Sequence, residues 1–241
     1  MRKVSIITPC LNSQKTIRDT IESVLHQTYK AVEYIIIDGG SSDKTIDIIK
    51  EYIPLFQGRL TYISEKDKGI YDAMNKGIKM SRGSLIGIIN SDDFYELDAV
   101  ESIVKEMDKN QYQVLYGYCN FVRNNKVYAI SKNSHLDLPY KMIPHPTCFV
   151  TREVFRDFGV FIRFYKISAD YEFMLRLKKS GEVSFIQIPK VIANFRSGGV
   201  SSSMKTNNLM NLEDNLIKYR YGVMTGRKAC LSVWNYIMNQ Y

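Results

Sequence analysis

The chain has 241 residues, of which 45% are hydrophobic and 24% charged, the balance of a soluble globular protein with room for one α/β domain or one domain with an appendage. Thirty-three Lys and Arg against 25 Asp and Glu leave a formal charge of +8, which suits nucleotides, nucleic acid or an acidic membrane surface as well as plain solubility. No aromatic-basic RNA-binding signature occurs, which argues against nucleic acid, and no apolar window approaches the length of a membrane span.

Met1-Arg2-Lys3 is a basic start, but the apolar run after it breaks at Thr8-Pro9 and Asn12, so no signal peptide is expected and the chain reads as cytoplasmic. Cys10, Cys119, Cys148 and Cys230 form no Cys-x-x-Cys pair and are expected to be buried free thiols. Val4 to Thr8 predicts a buried strand. Pro9-Cys10-Leu11-Asn12-Ser13 ends it, and Asn12 or Ser13 is suited to cap the helix marked by Ile17, Ile21, Val24 and Leu25. Val32 to Ile37, closed by Asp38, predicts a second buried strand. Gly39 to Asp43 turns the chain, and Ser42 is placed to cap a helix carrying Ile46, Ile49 and Ile53.

Strand, loop, helix and strand at this spacing form a βαβ unit, hence a parallel sheet with right-handed crossovers. The first strand-to-helix turn contains no glycine and the chain has no Walker A loop. A glycine-rich turn or a Walker A loop is what lets backbone approach phosphates, so without them a nicotinamide or flavin enzyme and a P-loop NTPase are disfavoured. A nucleotide bound here would have its phosphates neutralised by a metal.

Leu60 to Ser64 predicts a third strand, followed by the charged loop Glu65 to Gly69. Ile70, Met74 and Ile78 space out a helix, with Gly77 at or near its buried face, where it would allow a close approach. Leu85 to Ile89 reads as a central strand buried on both faces, turning polar at Asn90-Ser91-Asp92-Asp93. A helix with Leu97, Val100, Ile103, Val104 and Met107 on one face follows. Two adjacent carboxylates therefore stand just past the end of a central strand, where open α/β sheets bind ligands. Neighbouring acids repel, and a divalent cation offsets that repulsion; an Asp-rich capping turn is the plainer alternative. Three polar loops, Thr8-Pro9, Asp38-Gly39 and Ser91-Asp92-Asp93, converge on one rim.

Beyond Asn110 the pattern changes. Val114 to Phe121 and Lys126 to Ile130 predict a hairpin around Arg123-Asn124-Asn125. Ser131 to Pro139 carries no pattern. Pro144 to Val150 reads as a rigid turn entering a short strand, with His145 held extended between prolines. Ser168-Ala169-Asp170-Tyr171-Glu172 opens a helix running to Lys179, with Gly181 beyond its end. Asp170 near the N-terminus is favoured in its ionised form and suited to take a proton from a hydroxyl, though a plain first-turn acid fits as well. Ser184 to Phe195 predicts one or two strands broken at Pro189 and ending at Arg196. Residues 197–203 are small and suit a linker or a lid. After Asp214 no acid occurs, while Lys218, Arg220, Arg227, Lys228 and Trp234 do; this suits an anionic membrane interface or a solvated terminal helix.

Five stretches carry a resemblance: Val4-Ser5-Ile6-Ile7-Thr8-Pro9, Ile36-Ile37-Asp38-Gly39-Gly40-Ser41-Ser42-Asp43, Asp67-Lys68-Gly69-Ile70-Tyr71-Asp72-Ala73-Met74-Asn75, Asn90-Ser91-Asp92-Asp93 and Ala169-Asp170-Tyr171. In this order and at these separations they resemble the family 2 glycosyltransferases with the GT-A fold, especially bacterial polysaccharide enzymes. The resemblance implies an α/β nucleotide-diphospho-sugar transferase domain over 1–203, with a Rossmann-like, mostly parallel sheet and flanking helices, and a C-terminal helical extension over 204–241. It implies an inverting hexosyltransferase that uses a nucleotide-diphosphate sugar, UDP being the family's commonest nucleotide. The acceptor would be a hydroxyl of a saccharide or polyprenyl-linked carrier at the cytoplasmic face of the inner membrane, in cell-surface polysaccharide biosynthesis. Thr8, Pro9 and Asp38 match base- and ribose-binding positions, with Asn12 in the same loop and Asp67 near the donor. Asp92 and Asp93 match an Asp-x-Asp element, with Asp93 the principal ligand of Mn²⁺ or Mg²⁺, and Asp170 matches the catalytic base. His145 and Arg196 match positions facing the diphosphate or acceptor. Two departures stand out: Ser91 in place of the first Asp, and Ala169 in place of an acid often found before the base. The competing readings are a nucleotidyltransferase, which wants a glycine- and basic-rich first loop, and a non-catalytic nucleotide-sugar-binding scaffold.

Overall fold

In the computed structural model, which describes residues 2–198 and 204–238, every residue of strand β1 (Val4–Cys10) is buried because helices cover both faces of the sheet. On one side α1 (Ile17–Leu25) and α2 (Thr45–Tyr52) bury Ile17, Ile21, Val24 and Ile49 against Val4 and Ile6. On the other, α3 (Ile70–Met80) and α6 (Ala169–Ser180) bury Met74, Ile78, Phe173 and Leu177 with Ile7. The close approach expected at Gly77 is present: a Cβ there would lie 2.4 Å from Ile7 Cγ2.

The strands run in the order β3 (Leu60–Ser64), β2 (Val32–Asp38), β1, β4 (Leu85–Ile88), β8 (Phe149–Thr151), β6 (Gln113–Arg123), β9 (Ser184–Arg196) and β5 (Phe94–Tyr95), with β7 (Lys126–Ser131) paired to β6. From β3 to β4 the sheet is parallel, as the βαβ spacing predicts. Past β4 it is mixed: β6 and β9 are parallel, while β8 runs antiparallel to both β4 and β6, as β7 does to β6 and β5 to β9. The hairpin turns at Asn124 and Asn125, both with positive φ (50° and 58°), the geometry of a type I′ turn.

Several local expectations are corrected. Neither Asn12 nor Ser13 caps α1; its N-cap is Thr16, with no side-chain bond. Ser42 does not cap α2, where the Thr45 N–H is held instead by Asp43 at 2.9 Å. Leu97 is 60% exposed and lies outside α4 (Ala99–Lys105), because Phe94 and Tyr95 first pair with β9 and delay the helix. His145 starts a 3₁₀ turn, His145–Thr147, rather than an extended segment. Pro189 does not split β9; the strand bulges over 188–190 opposite Gly117 and pairing resumes at Val191. Cys10, Cys119 and Cys148 are buried free thiols, but Cys230 is exposed. The patternless 131–139 stretch contains a 3₁₀ turn, His135–Asp137, closed by a capping box from Ser134.

After α5 (Arg152–Asp157) and α6 come α7 (Met204–Arg220) and α8 (Gly226–Met238). Ile217 of α7 is fully buried within the α3–α6 core, while α8 rests on α7 through Ala229 and an Asn215–Ser232 hydrogen bond of 2.9 Å. No helix among the described residues is long and apolar enough to cross a membrane. Residues 199–203, most of the segment expected to act as linker or lid, lie outside the described residues.

Candidate active site

The loops after β1 and β2 are stitched to each other. Asn12, with φ 50°, donates its N–H to Ser41 Oγ at 2.7 Å and accepts the Ser42 N–H on Oδ1 at 2.9 Å. Ser13 N–H reaches Thr45 Oγ1 at 2.7 Å, and Gly39 N–H reaches the Cys10 carbonyl at 2.9 Å. The residues expected to be caps thus serve to hold two strand-end loops in register.

Asp38 is buried at the centre of this arrangement. Its Oδ2 accepts from Gly40 N (3.0 Å), Ser41 N (2.9 Å) and Ser64 Oγ (2.7 Å), while Oδ1 accepts from Ser41 Oγ and Cys10 Sγ. Burial pushes its carboxyl up, but the Ser41, Ser64 and Gly40 donors outweigh burial and hold it below the usual carboxylate range. Thr8 is equally internal, its hydroxyl accepting from Tyr34 at 3.0 Å. The side chains of Thr8 and Asp38 are therefore committed within the protein, and both residues are fully buried, shaping the loops beside them rather than facing solvent. Asp67 comes from the loop after β3. Its Oδ1 accepts the Gly69 N–H at 2.9 Å, and its carboxylate packs on Gly39, where a Cβ would stand 2.5 Å from Oδ2. Pro9 is buried in β1 beside this cluster.

The third loop completes the rim. Ser91 Oγ lies 2.7 Å from Ser13 Oγ, and Thr20 of α1 donates to the Asp93 carbonyl at 2.6 Å, clamping the turn to the first loop. Asp93 is fully buried. Its Oδ1 accepts the Arg196 backbone N–H at 2.9 Å, and Asn90 Nδ2 approaches Oδ2 at 3.5 Å. Burial and the neighbouring Asp92 charge raise the Asp93 carboxyl well above its ordinary range, while Asp92 is raised by burial and drawn back by Arg196. The Arg196 guanidinium binds Asp19 at 2.7 Å and lies over the Phe94 ring at 5.4 Å. Among the described residues, Asn90 Oδ1 is buried without a donor. The two crowded carboxyls are oxygen donors of the kind a hard divalent cation prefers, while the Asn90 amide turns its Nδ2 toward Asp93. Among the described residues no group of three or more His, Cys, Asp and Glu side chains is placed to hold a metal, so such an ion would need further oxygens from a ligand.

Asp170 stands in the first turn of α6, half-buried, with the Tyr71 hydroxyl 2.9 Å from its Oδ1. The same hydroxyl reaches the Ile167 carbonyl at 2.5 Å, so its one proton lies between two acceptors. Further along α3, Asn75 brackets Phe161 by accepting its N–H (3.1 Å) and donating to its carbonyl (2.9 Å), and Asp72 pairs with Arg163 at 2.7 Å. One face of α3 therefore pins the whole approach to Asp170. His145 is packed edge-on to Phe161; burial lowers its imidazole below the ordinary value and the Asp170 charge opposes that.

Tyr71, Asn75 and Asn90 were not singled out as site residues from sequence. Tyr71 and Asn75 do lie within the quoted Asp67–Asn75 stretch, and that four-residue spacing on one helix face was the available signal. Glu213, whose carboxylate meets the loop before α6, left no local trace.

The architecture is that of the GT-A glycosyltransferases. A crystal structure of Staphylococcus aureus TarS in complex with UDP-GlcNAc superposes with a TM-score of 0.70 at 19% identity, over 89% of this chain and 66% of that one. The mannosyltransferase PcManGT from Pyrobaculum calidifontis, in complex with GDP-Man and Mn²⁺, superposes with a TM-score of 0.69 at 16% identity, over 91% and 64%. Residues 5–169 match the model of glycosyl transferase family 2, and the chain belongs to that family. It is 27% identical over 203 residues to a PGL/p-HBAD biosynthesis glycosyltransferase of Mycobacterium bovis, covering 83% of this chain and 79% of that protein. It is also 30% identical to the chondroitin synthase of Escherichia coli, over 98% of this chain and 37% of the synthase. The chain thus spans under two thirds of the synthase and of both superposed structures.

Proposed function

We propose that this glycosyltransferase moves a sugar from a nucleoside-diphosphate donor, a UDP-sugar in the first instance, to a hydroxyl of a saccharide or lipid-linked acceptor in polysaccharide biosynthesis, with inversion at the anomeric carbon. The observation that carries the reading is Asp170 held by Tyr71 at the start of α6: Tyr71 opens α3 just past the end of β3, the same edge of the parallel strands at which Asp92 and Asp93 follow β4. The donor nucleotide lies across Pro9, Asn12, Asp38 and Asp67, shaped by their loops, with His145 and Arg196 toward the diphosphate and acceptor.

Asp93, with Asp92, would hold Mn²⁺ or Mg²⁺. Such an ion supplies positive charge against the departing diphosphate. Asp170 takes the acceptor's proton on Oδ2, since Tyr71 engages Oδ1. The acceptor oxygen then forms its bond to the anomeric carbon on the face opposite the leaving diphosphate, whose bond to that carbon breaks. One base and, among the described residues, no positioned protein nucleophile give inversion. Calorimetric titration with UDP, GDP, dTDP and CDP, with and without Mn²⁺, tests the donor site. Metal-dependent binding of one nucleotide is expected, and binding to none of them would count against the donor site.

Leu231, Trp234 and Ile237 are exposed on α8, which also carries Arg227 and Lys228. Apolar and basic side chains together suit an anionic membrane surface, consistent with an acceptor carried on a lipid at the cytoplasmic face.

A further inference from the structure

Three consecutive backbone N–H groups precede the helix that carries Asp170, and one side chain from far along the chain accepts all three. Glu213 Oε1 takes Lys166 N–H at 2.7 Å, and Oε2 takes Ile167 and Ser168 N–H at 2.9 Å each. Glu213 is itself 95% buried, at 5% exposure. A buried carboxylate is strongly disfavoured unless its lone pairs are met, and three charge-assisted bonds meet them. The Ile167–Ser168 peptide is thereby gripped at both ends, its N–H by Glu213 and its C=O by the Tyr71 hydroxyl, which also bonds Asp170.

The rest of α7 aligns with this contact. Ile217 is fully buried one turn on, Lys218 lies over the Tyr171 ring at 5.9 Å, and Tyr221 donates to Glu172 Oε1 at 2.5 Å. Asp214, beside Glu213, is raised by burial against the pull of the Ser168 hydroxyl and Lys218, and the Asp170 charge raises it further. Helix α7 therefore tracks α6 from its N-terminus onward, and its only carboxylates face the turn before Asp170.

We propose that Glu213 is a positioning residue for the base: its carboxylate fixes the Lys166–Ser168 turn and, through the Ile167–Ser168 peptide and the Tyr71 hydroxyl, sets the direction of Asp170. The inference rests on reading Asp170 as the base. It makes α7 part of the catalytic apparatus rather than a tail. A carboxylate is required because Gln would turn an NH₂ group toward one of the three N–H donors.

The test compares Glu213→Gln, Tyr71→Phe, the double variant and Asp170→Asn. The anchor is read without substrate, by amide hydrogen exchange across 163–170. Its consequence is read as UDP or GDP release from UDP-GlcNAc, UDP-glucose, UDP-galactose and GDP-mannose with Mn²⁺. Glu213→Gln is expected to speed exchange at 166–168 by about tenfold or more and to lower kcat by about tenfold with donor KM within about twofold. The double variant should lose no more than the worse single one, because both residues act through one peptide. If Glu213→Gln does not fold, Glu213→Asp keeps the charge with a shorter reach and should show the same effects, reduced. Unchanged exchange, unchanged kcat or fully additive losses would overturn the proposal. Turnover retained by Asp170→Asn would instead remove the base reading itself, while an inactive Asp170→Asn beside a fully active Glu213→Gln would sink only the positioning role.

Discussion

The Tyr71 hydroxyl and Asp170 Oδ1 are 2.9 Å apart although 99 residues separate them in the chain. The contact joins the start of α3 to the start of α6, two helices on the same face of the sheet, and it engages Oδ1 of the carboxylate and not Oδ2. Replacing Tyr71 by Phe keeps the packing against Phe161 and removes only the hydrogen bond. A bond to a charged acceptor is worth about 1.5–3 kcal/mol, so turnover should fall roughly tenfold or more. Nucleotide affinity by calorimetry should be unchanged.

At the third loop, Asp93→Ala removes a fully buried carboxyl whose neighbours are Asp92 and the Arg196 backbone. Loss of measurable donor turnover is expected, and the Mn²⁺ dependence of nucleotide binding should vanish with it. EDTA should reproduce the effect in the native chain and added Mn²⁺ should reverse it. Nucleotide binding that ignored both treatments would remove the metal assignment.

Asp38 predicts a pH dependence of stability. Its folded carboxyl is held below the ordinary value by Ser41, Ser64 and Gly40, so between the two values the unfolded chain binds more protons. The stabilisation is fully present above the unfolded value of about 3.9 and is lost as pH falls through the folded one. Asp38→Asn should cost about 1–3 kcal/mol at pH 7, by leaving buried donors unmatched, and the gap to wild type should close in acid. Urea melts at pH 7 and pH 3 measure it.

Gly77→Ala would place a Cβ 2.4 Å from Ile7 Cγ2. Overpacking at a helix-to-sheet contact costs about 1–3 kcal/mol. A lower urea midpoint with unchanged donor affinity per folded molecule is expected, because the contact lies in the core and not on the rim.

Trp234 is 61% exposed on α8. Exchanging Leu231, Trp234 and Ile237 together for Ser should abolish flotation with phosphatidylglycerol vesicles and leave nucleotide binding intact. A truncation serving the same purpose must fall after Met224, since a cut after Asp214 also removes Ile217 and Tyr221 from their contacts with the α6 region. Equal flotation of the variant and native chains would end the membrane reading.

The parallel half of the sheet was legible because its strands are short β-branched runs separated by helices of 3.6 periodicity, a pattern local to each segment. The convergence of Thr8-Pro9, Asp38-Gly39 and Ser91–Asp93 followed from it, since loops after parallel strands share one edge. The bulge at 188–190 and the 3₁₀ turn at His145 were not legible. Both depend on which strand lies alongside, and β8 and β9 find β6 only in the folded sheet.

What the sequence determined by itself is the parallel strands and their helices, the rim they share and the acids at strand ends, because burial periodicity and turn chemistry act over a few residues. What only the tertiary structure decided is how those acids are held. Asp38 turns inward onto five donors of its own and neighbouring loops, Asp93 meets the backbone of Arg196, and Asp170 is oriented by Tyr71 beside a turn that Glu213 grips. Apart from the Asp38 turn, these contacts span tens of residues or more, and no local spacing encodes which side chain will arrive from the other side of a fold.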